Sequence, residues 1–264
     1  HAPQRIKPSI GELFSEARSG APDGIRALAG LAINSDVNGI WRASATEQLG
    51  LQAFSGLEAL IARQVESRDP IIRASAVRAS EALPLVRRYQ SLRSILGDTN
   101  RSVVTELATA LAAVPLNQIP SADALALEKV FRDYLEIQRQ DLDLPSVQAR
   151  LGNFYLARGD LKAAETSYPT AVAIDPLTVG AYLNLADLKR ARGDEQHVRL
   201  ILREALDLMP SEPSLLHAIG LSEVRAGDYE TALTHLKEAA DLEETGLQYR
   251  YVYAVALHDL GHVD

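Results

Sequence analysis

Apolar residues recur along this chain at helical spacing in one segment after another. Ser9 and Glu12 have the spacing of a capping box for a short helix ending near Ser19 and Gly20. Pro22-Asp23-Gly24 starts a second helix, whose Ile25, Leu28, Leu31 and Ala32 fall on one face. The stretch Ile40-Trp41-Arg42-Ala43-Ser44-Ala45 then returns 31 residues later as Ile71-Ile72-Arg73-Ala74-Ser75-Ala76. A degenerate third copy lies at Val103-Val104, with Val104 in the place of the arginine. Asp69-Pro70 and Asp98 supply helix-start chemistry before the second and third copies, and the segments around 57–65 and 86–96 supply partner helices. From Ser121 to about Gln140 a longer helix carries Leu127, Val130, Phe131, Tyr134 and Ile137 as one apolar stripe. Beyond Pro145 the period lengthens: Gly159, Gly193, Gly227 and Gly261 follow one another at 34 residues, each placed to end one helix and open a tight turn.

A period of 34 residues is that of tetratricopeptide repeats. The first unit reads Leu151-Gly152, Tyr155, Ala164, Tyr168 and Pro176; the second keeps Leu185-Ala186, Ala205 and Pro210; the third keeps Ile219-Gly220, Ala232, Leu236 and Ala239. The 31-residue copies resemble the short bacterial form of HEAT repeats. Each such repeat is a helix pair that buries its apolar face only by stacking on its neighbours. The expected fold is therefore an all-α α-solenoid superhelix: HEAT-like repeats over 1–116, a linker and adaptor helix over 117–144, and tetratricopeptide repeats over 145–264. Pro115 and Pro120 mark the boundary, and the stripe of the 121–140 helix is expected to dock on the first tetratricopeptide pair. An arginine recurring at one repeat position, as Arg42 and Arg73 do, is expected to bridge adjacent repeats. Pro169 falls inside the second helix of the first tetratricopeptide unit, where a kink or interruption after Glu165 is expected.

Composition narrows the chemistry. Aromatic residues make up only 5% of the chain against 47% hydrophobic, which suits stacked helices packed through Leu, Ala, Val and Ile. The formal charge is −8, with 16 Lys+Arg against 17 Asp+Glu before Pro145 and 11 against 18 from there on. An acidic surface repels phosphate backbones and anionic membranes and favours a basic protein or peptide partner. There is no cysteine, which removes disulfides, thiolate metal sites, a Cys nucleophile and c-type haem attachment within these residues. No run reaches the ~18 apolar residues of a membrane span. No phosphate loop, nucleophile elbow or paired-carboxylate arrangement stands out, so no enzyme activity is expected. His258 and His262 are four apart, but Gly261 between them is a turn residue, and neither zinc nor any other cofactor is expected.

The order of HEAT-like copies, the helix Tyr134-Leu135-Glu136-Ile137-Gln138-Arg139-Gln140, the repeat Leu151 to Asp160 and the closing Tyr251 to Gly261 resembles the C-terminal region of bacterial periplasmic multihaem c-type cytochromes with tetratricopeptide tails. That resemblance implies a periplasmic or extracellular setting and cytochrome company, with haem held by C-x-x-C-H motifs that this sequence lacks. The expected function is a non-catalytic scaffold for a protein or peptide, or else a docking or regulatory domain of a larger multihaem redox enzyme. By analogy with tetratricopeptide grooves, the partner-facing residues are Asn153, Leu156, Asn184, Asp187, Arg190, His217, Tyr251 and His258. Asn153 and Asn184 match two members of a carboxylate clamp, while Ala149, Ser214 and Ala218 stand where its cations would be. Tyr249 to Leu260 fits the first helix of a fourth pair, and its Val252, Val255, Ala256 and Leu260 form an apolar strip suited to a further helix or to self-association.

Overall fold

The computed structural model describes residues 9–52, 54–242 and 247–259. It is an all-α repeat fold of helical hairpins in two compact units, one up to Gln140 and one from Asp141 onward. In the first unit, α1 (Ile10–Arg18) and α2 (Pro22–Ile33) precede α3 (Gly39–Gly50), α4 (Leu57–Gln64), α5 (Pro70–Ala79), α6 (Leu85–Leu92), α7 (Arg101–Leu111) and α8 (Ser121–Gln138). The capping box of α1 is formed: the Ser9 amide donates to Glu12 at 2.6 Å while the Glu12 amide reaches the Ser9 hydroxyl.

The 31-residue period is built into the helix starts. α3, α5 and α7 begin at residues 39, 70 and 101, and are capped by Asn38, Asp69 and Asn100. Each cap accepts the amide two residues on, at 2.8, 2.9 and 3.1 Å. The third cap is thus Asn100, where the sequence points to Asp98. Asp98 instead accepts the Asn100 amide at 2.8 Å and binds Arg73, whose Nε lies 2.6 Å from its carboxylate. Arg73 also donates to the carbonyl of Ser67 at 2.8 Å, and Arg42 reaches the carbonyl of Ala32 at 3.3 Å. The recurring arginines do bridge neighbouring repeats, and at Val104 the position is simply buried. Arg78 adds a second tie, its guanidinium bridging Glu47 on α3 and Glu106 on α7. The helix α8 packs on α7 within this unit, burying Leu127, Val130, Phe131 and Tyr134. Its first turn is held by Asp123, which accepts from the Tyr89 hydroxyl and pairs with Arg93 at 2.9 Å.

The second unit comprises α9 (Pro145–Ala157), α10 (Leu161–Ile174), α11 (Val179–Ala191), α12 (Glu195–Leu208), α13 (Pro213–Ala226), α14 (Tyr229–Leu242) and α15 (Leu247–Asp259). Gly159, Gly193 and Gly227 sit at φ of +78°, +75° and +79°, the left-handed conformation that closes a helix without a Cβ clash. The residue after each glycine donates to the carbonyl five residues back, as Asp160 does to Tyr155 at 2.9 Å. Asp160 and Asp194 then cap the next helix through Ala163 and His197 amides. Leu260, Gly261 and His262 lie outside the described residues. At the helix crossings a small residue is required: a Cβ on Gly152 would strike the ring of the fully buried Tyr168, and one on Gly220 would meet Leu236. The expected interruption at Pro169 does not occur. α10 runs as one helix from Leu161 to Ile174 with the proline inside it, because packing of Ala164, Tyr168 and Ala171 into the core outweighs one missing hydrogen bond.

Candidate functional site

The first helix of each pair in the second unit, α9, α11 and α13, carries six of the eight residues assigned to a partner, and the structure gathers five of them into two clusters. In one, the Asn153 side-chain oxygen accepts both the Tyr168 hydroxyl at 2.9 Å and the Asn184 amide nitrogen at 2.8 Å. Burial, with the Asp187 carboxylate nearby, pushes the Tyr168 phenol up to about 12, so it stays a donor. The two clamp-like asparagines therefore do meet, with the Asn153 carbonyl committed inside the protein. The Asn153 amide nitrogen is left to face solvent or a ligand.

The other cluster lies in a groove of about 410 Å³ between α11, α12 and α13, closed by the start of α15. Its floor is apolar, from Leu183, Ala186, Val198, Leu202, Ala218 and Leu221. Its rim carries two ion pairs. Arg190 meets Asp187 at 3.0 Å, and Arg225 meets Glu195 at 2.9 Å, where the Ser222 hydroxyl also donates. Burial opposes ionisation of Glu195, but the bonds from Arg225 and Ser222 outweigh it and hold the carboxyl below its ordinary value. The His217 ring completes the wall, its centroid 4.9 Å from that of Tyr249. Its Nδ1 is buried with no hydrogen-bond partner, and burial holds the imidazole below its ordinary pKa. The ring is thus a neutral, largely apolar surface with one polar atom unanswered.

The remaining assigned residues sit elsewhere. Leu156 is half-buried and packs on the core around Tyr168 and Ala171. Tyr251 is 71% exposed, and the exposed His258 lies 3.3 Å from Asp259. Neither lines the groove. At the places where a carboxylate clamp would carry cations, Ala149 packs against the core, and Ser214 and Ala218 line the groove. The Ser214 hydroxyl donates to Glu212 at 2.7 Å. Arg225 and Tyr249 are groove residues that the repeat register did not single out. The missed signal is the offset between neighbouring first helices: Asn153 touches Asn184 and His217 touches Tyr249, which are 31 and 32 residues on, not 34. A shift of two to three residues, less than one helical turn, separates the repeat period from the contact period.

The chemistry this arrangement supports is non-covalent recognition of an apolar side chain flanked by polar groups. Among the described residues no group of three or more His, Cys, Asp or Glu is placed to hold a metal ion, and no helix is long and apolar enough to cross a membrane.

No protein-family model matches the chain, and no curated protein matches it. Among solved structures, it is similar to MamA MSR-1 C2, at 22% identity over 66% of this chain and 98% of that one, with a TM-score of 0.40. It is also similar to a thermophilic TPR protein of Thermus thermophilus, at 18% identity over 88% of this chain and 98% of that one, with a TM-score of 0.41.

Proposed function

We propose that the chain is a non-catalytic interaction module that binds a protein or peptide segment in the groove between α11 and α13. The observation that carries this reading is the groove itself, an apolar floor with paired charges at its rim and the unsatisfied His217 Nδ1 in its wall. Buried polar atoms are seldom left without a partner, and a peptide N–H that parts the side chains covering His217 would supply the one it lacks. The charge of the unit, 11 Lys+Arg against 20 Asp+Glu from Asp141 onward, favours a basic partner. A periplasmic setting and association with multihaem cytochromes belong to the same proposal, and their support is the sequence likeness alone.

The test is a photo-crosslinking amino acid placed at Leu221 in the groove and, as control, at Leu125 on the first unit, in the full chain in its source cell. A discrete adduct from Leu221 that is absent from Leu125 and lost on Asp187→Lys, which turns a groove charge against a basic partner, supports groove binding. Equal adducts from both positions, or none, overturn it. Haem absorbance in the adduct separates the cytochrome reading from other partners, and fractionation of the cell tests the periplasmic one.

A further inference from the structure

We propose that the second unit carries a second docking notch, on a different face of α11 from the groove, which takes an apolar side chain with a lysine or arginine beside it. α11 turns Leu183, Ala186, Asp187 and Arg190 to the groove; at about 100° per residue its Leu185 points away from them, and Tyr182 lies about a quarter-turn round, on the edge of the buried face that it shares with Ala186. These two line a cavity of about 540 Å³ walled by Pro169 and Val172 of α10 and by Ile201 and Leu208 of α12. The volume suits one or two side chains. Two features select the occupant. Glu204 stands at the wall of the cavity, exposed, with no hydrogen bond or ion pair among the described residues. The other lining residues are apolar or aromatic, so this carboxylate is the single formal charge the occupant meets. In a unit already acidic it draws a cation and repels a fatty-acid carboxylate or a phosphate headgroup.

The second feature is Tyr182. It is only 2% exposed, yet its hydroxyl has no acceptor. Burial first, and the Glu204 charge second, hold it protonated. A peptide carbonyl that displaces the side chains shielding this hydroxyl would satisfy a donor that the fold leaves unmet. Pro169 gives the notch a further reason for its shape: it is tolerated inside α10, and its ring forms part of the apolar wall.

The probe is N-acetyl-leucyl-arginine amide, titrated into the full chain and followed by amide-resolved NMR. Saturable shifts centred on Val172, Leu185 and Leu208 are expected, and neither N-acetyl-leucyl-glutamate amide nor N-acetyl-glycyl-arginine amide should produce them. Glu204→Lys should weaken binding about five-fold or more, and Tyr182→Phe by about two- to five-fold, the range of one exposed charge pair and one hydrogen bond. Ala173→Trp, at an exposed lip position, should fill the notch and abolish binding. His217→Ala should leave it unchanged, which separates the notch from the groove. Shifts confined to the groove, no saturable shift, or undiminished affinity in Glu204→Lys would each overturn the proposal.

Discussion

His217 of α13 faces Tyr249 of α15 with ring centroids 4.9 Å apart and planes inclined at 51°. The pair links two successive repeats across the groove, and it does so with a histidine whose Nδ1 is sealed from water. Burial depresses the His217 pKa, so the unfolded chain binds a proton more readily than the folded one. Stability contributed by neutral His217 is then full above its unfolded pKa of about 6.5 and falls as the pH drops from there toward the folded value. Thermal melts at pH 7.5 and pH 5 should show a smaller acid-induced drop for His217→Gln than for the parent chain. An equal drop in both would mean that the imidazole is not held neutral.

Arg73 and Asp98 form an enclosed ion pair linking two repeats, with side chains 17% and 8% exposed. Burial alone would raise the Asp98 carboxyl, yet the bonds from Arg73 and from the amides of Asn100 and Thr99 outweigh it and lower the pKa. Its stabilisation is present above the unfolded value near 3.9 and is lost as the pH falls through the lower folded one. Arg73→Ala should cost about 3 kcal/mol in urea unfolding, because it strands a buried carboxylate. The double change Arg73→Met with Asp98→Asn should recover most of that loss.

Gly152 faces the ring of Tyr168 with no room for a methyl group. In the next repeat the same two positions hold Ala186 and Leu202, both buried. Gly152→Ala should therefore destabilise the second unit by about 1–3 kcal/mol through overpacking. Adding Tyr168→Leu should restore part of it by copying the neighbouring solution, as read by chemical denaturation of the two variants.

Pro169 leaves the carbonyl of Glu165 without its helical donor in an otherwise continuous α10. Pro169→Ala restores that bond and loses the proline's restriction of the unfolded chain, worth about 0.4–1 kcal/mol. The net expectation is a gain of about 2–2.5 kcal/mol, given the ~3 kcal/mol penalty for proline in a helix interior. A lower melting temperature for Pro169→Ala would show that the ring's packing matters more than the missing bond.

Much of the fold was legible because it rests on local chemistry. The Ser9 capping box, the turn glycines at 159, 193 and 227, and the 31- and 34-residue periods each depend on a few neighbouring residues, so composition at fixed spacing reveals them. The arginine bridges were legible for the same reason, since a charge repeated at one position marks a contact between neighbouring repeats, but their partners were not: Arg42 reaches the Ala32 carbonyl and Arg73 the Asp98 carboxylate. Pro169 shows where local chemistry stops: its cost is intrinsic to the residue, but whether the helix breaks depends on how firmly Tyr168 and its neighbours are packed. The groove shows it again. Period alone puts Tyr251 in register with His217, whereas the contact goes to Tyr249, because neighbouring first helices meet at an offset set by helix crossing. Which polar atoms end up paired is likewise decided only in three dimensions. Asn153 spends its carbonyl on Tyr168 and Asn184, while His217 and Tyr182 keep an atom unmatched, and hydrogen bonding between distant residues leaves no trace in sequence spacing.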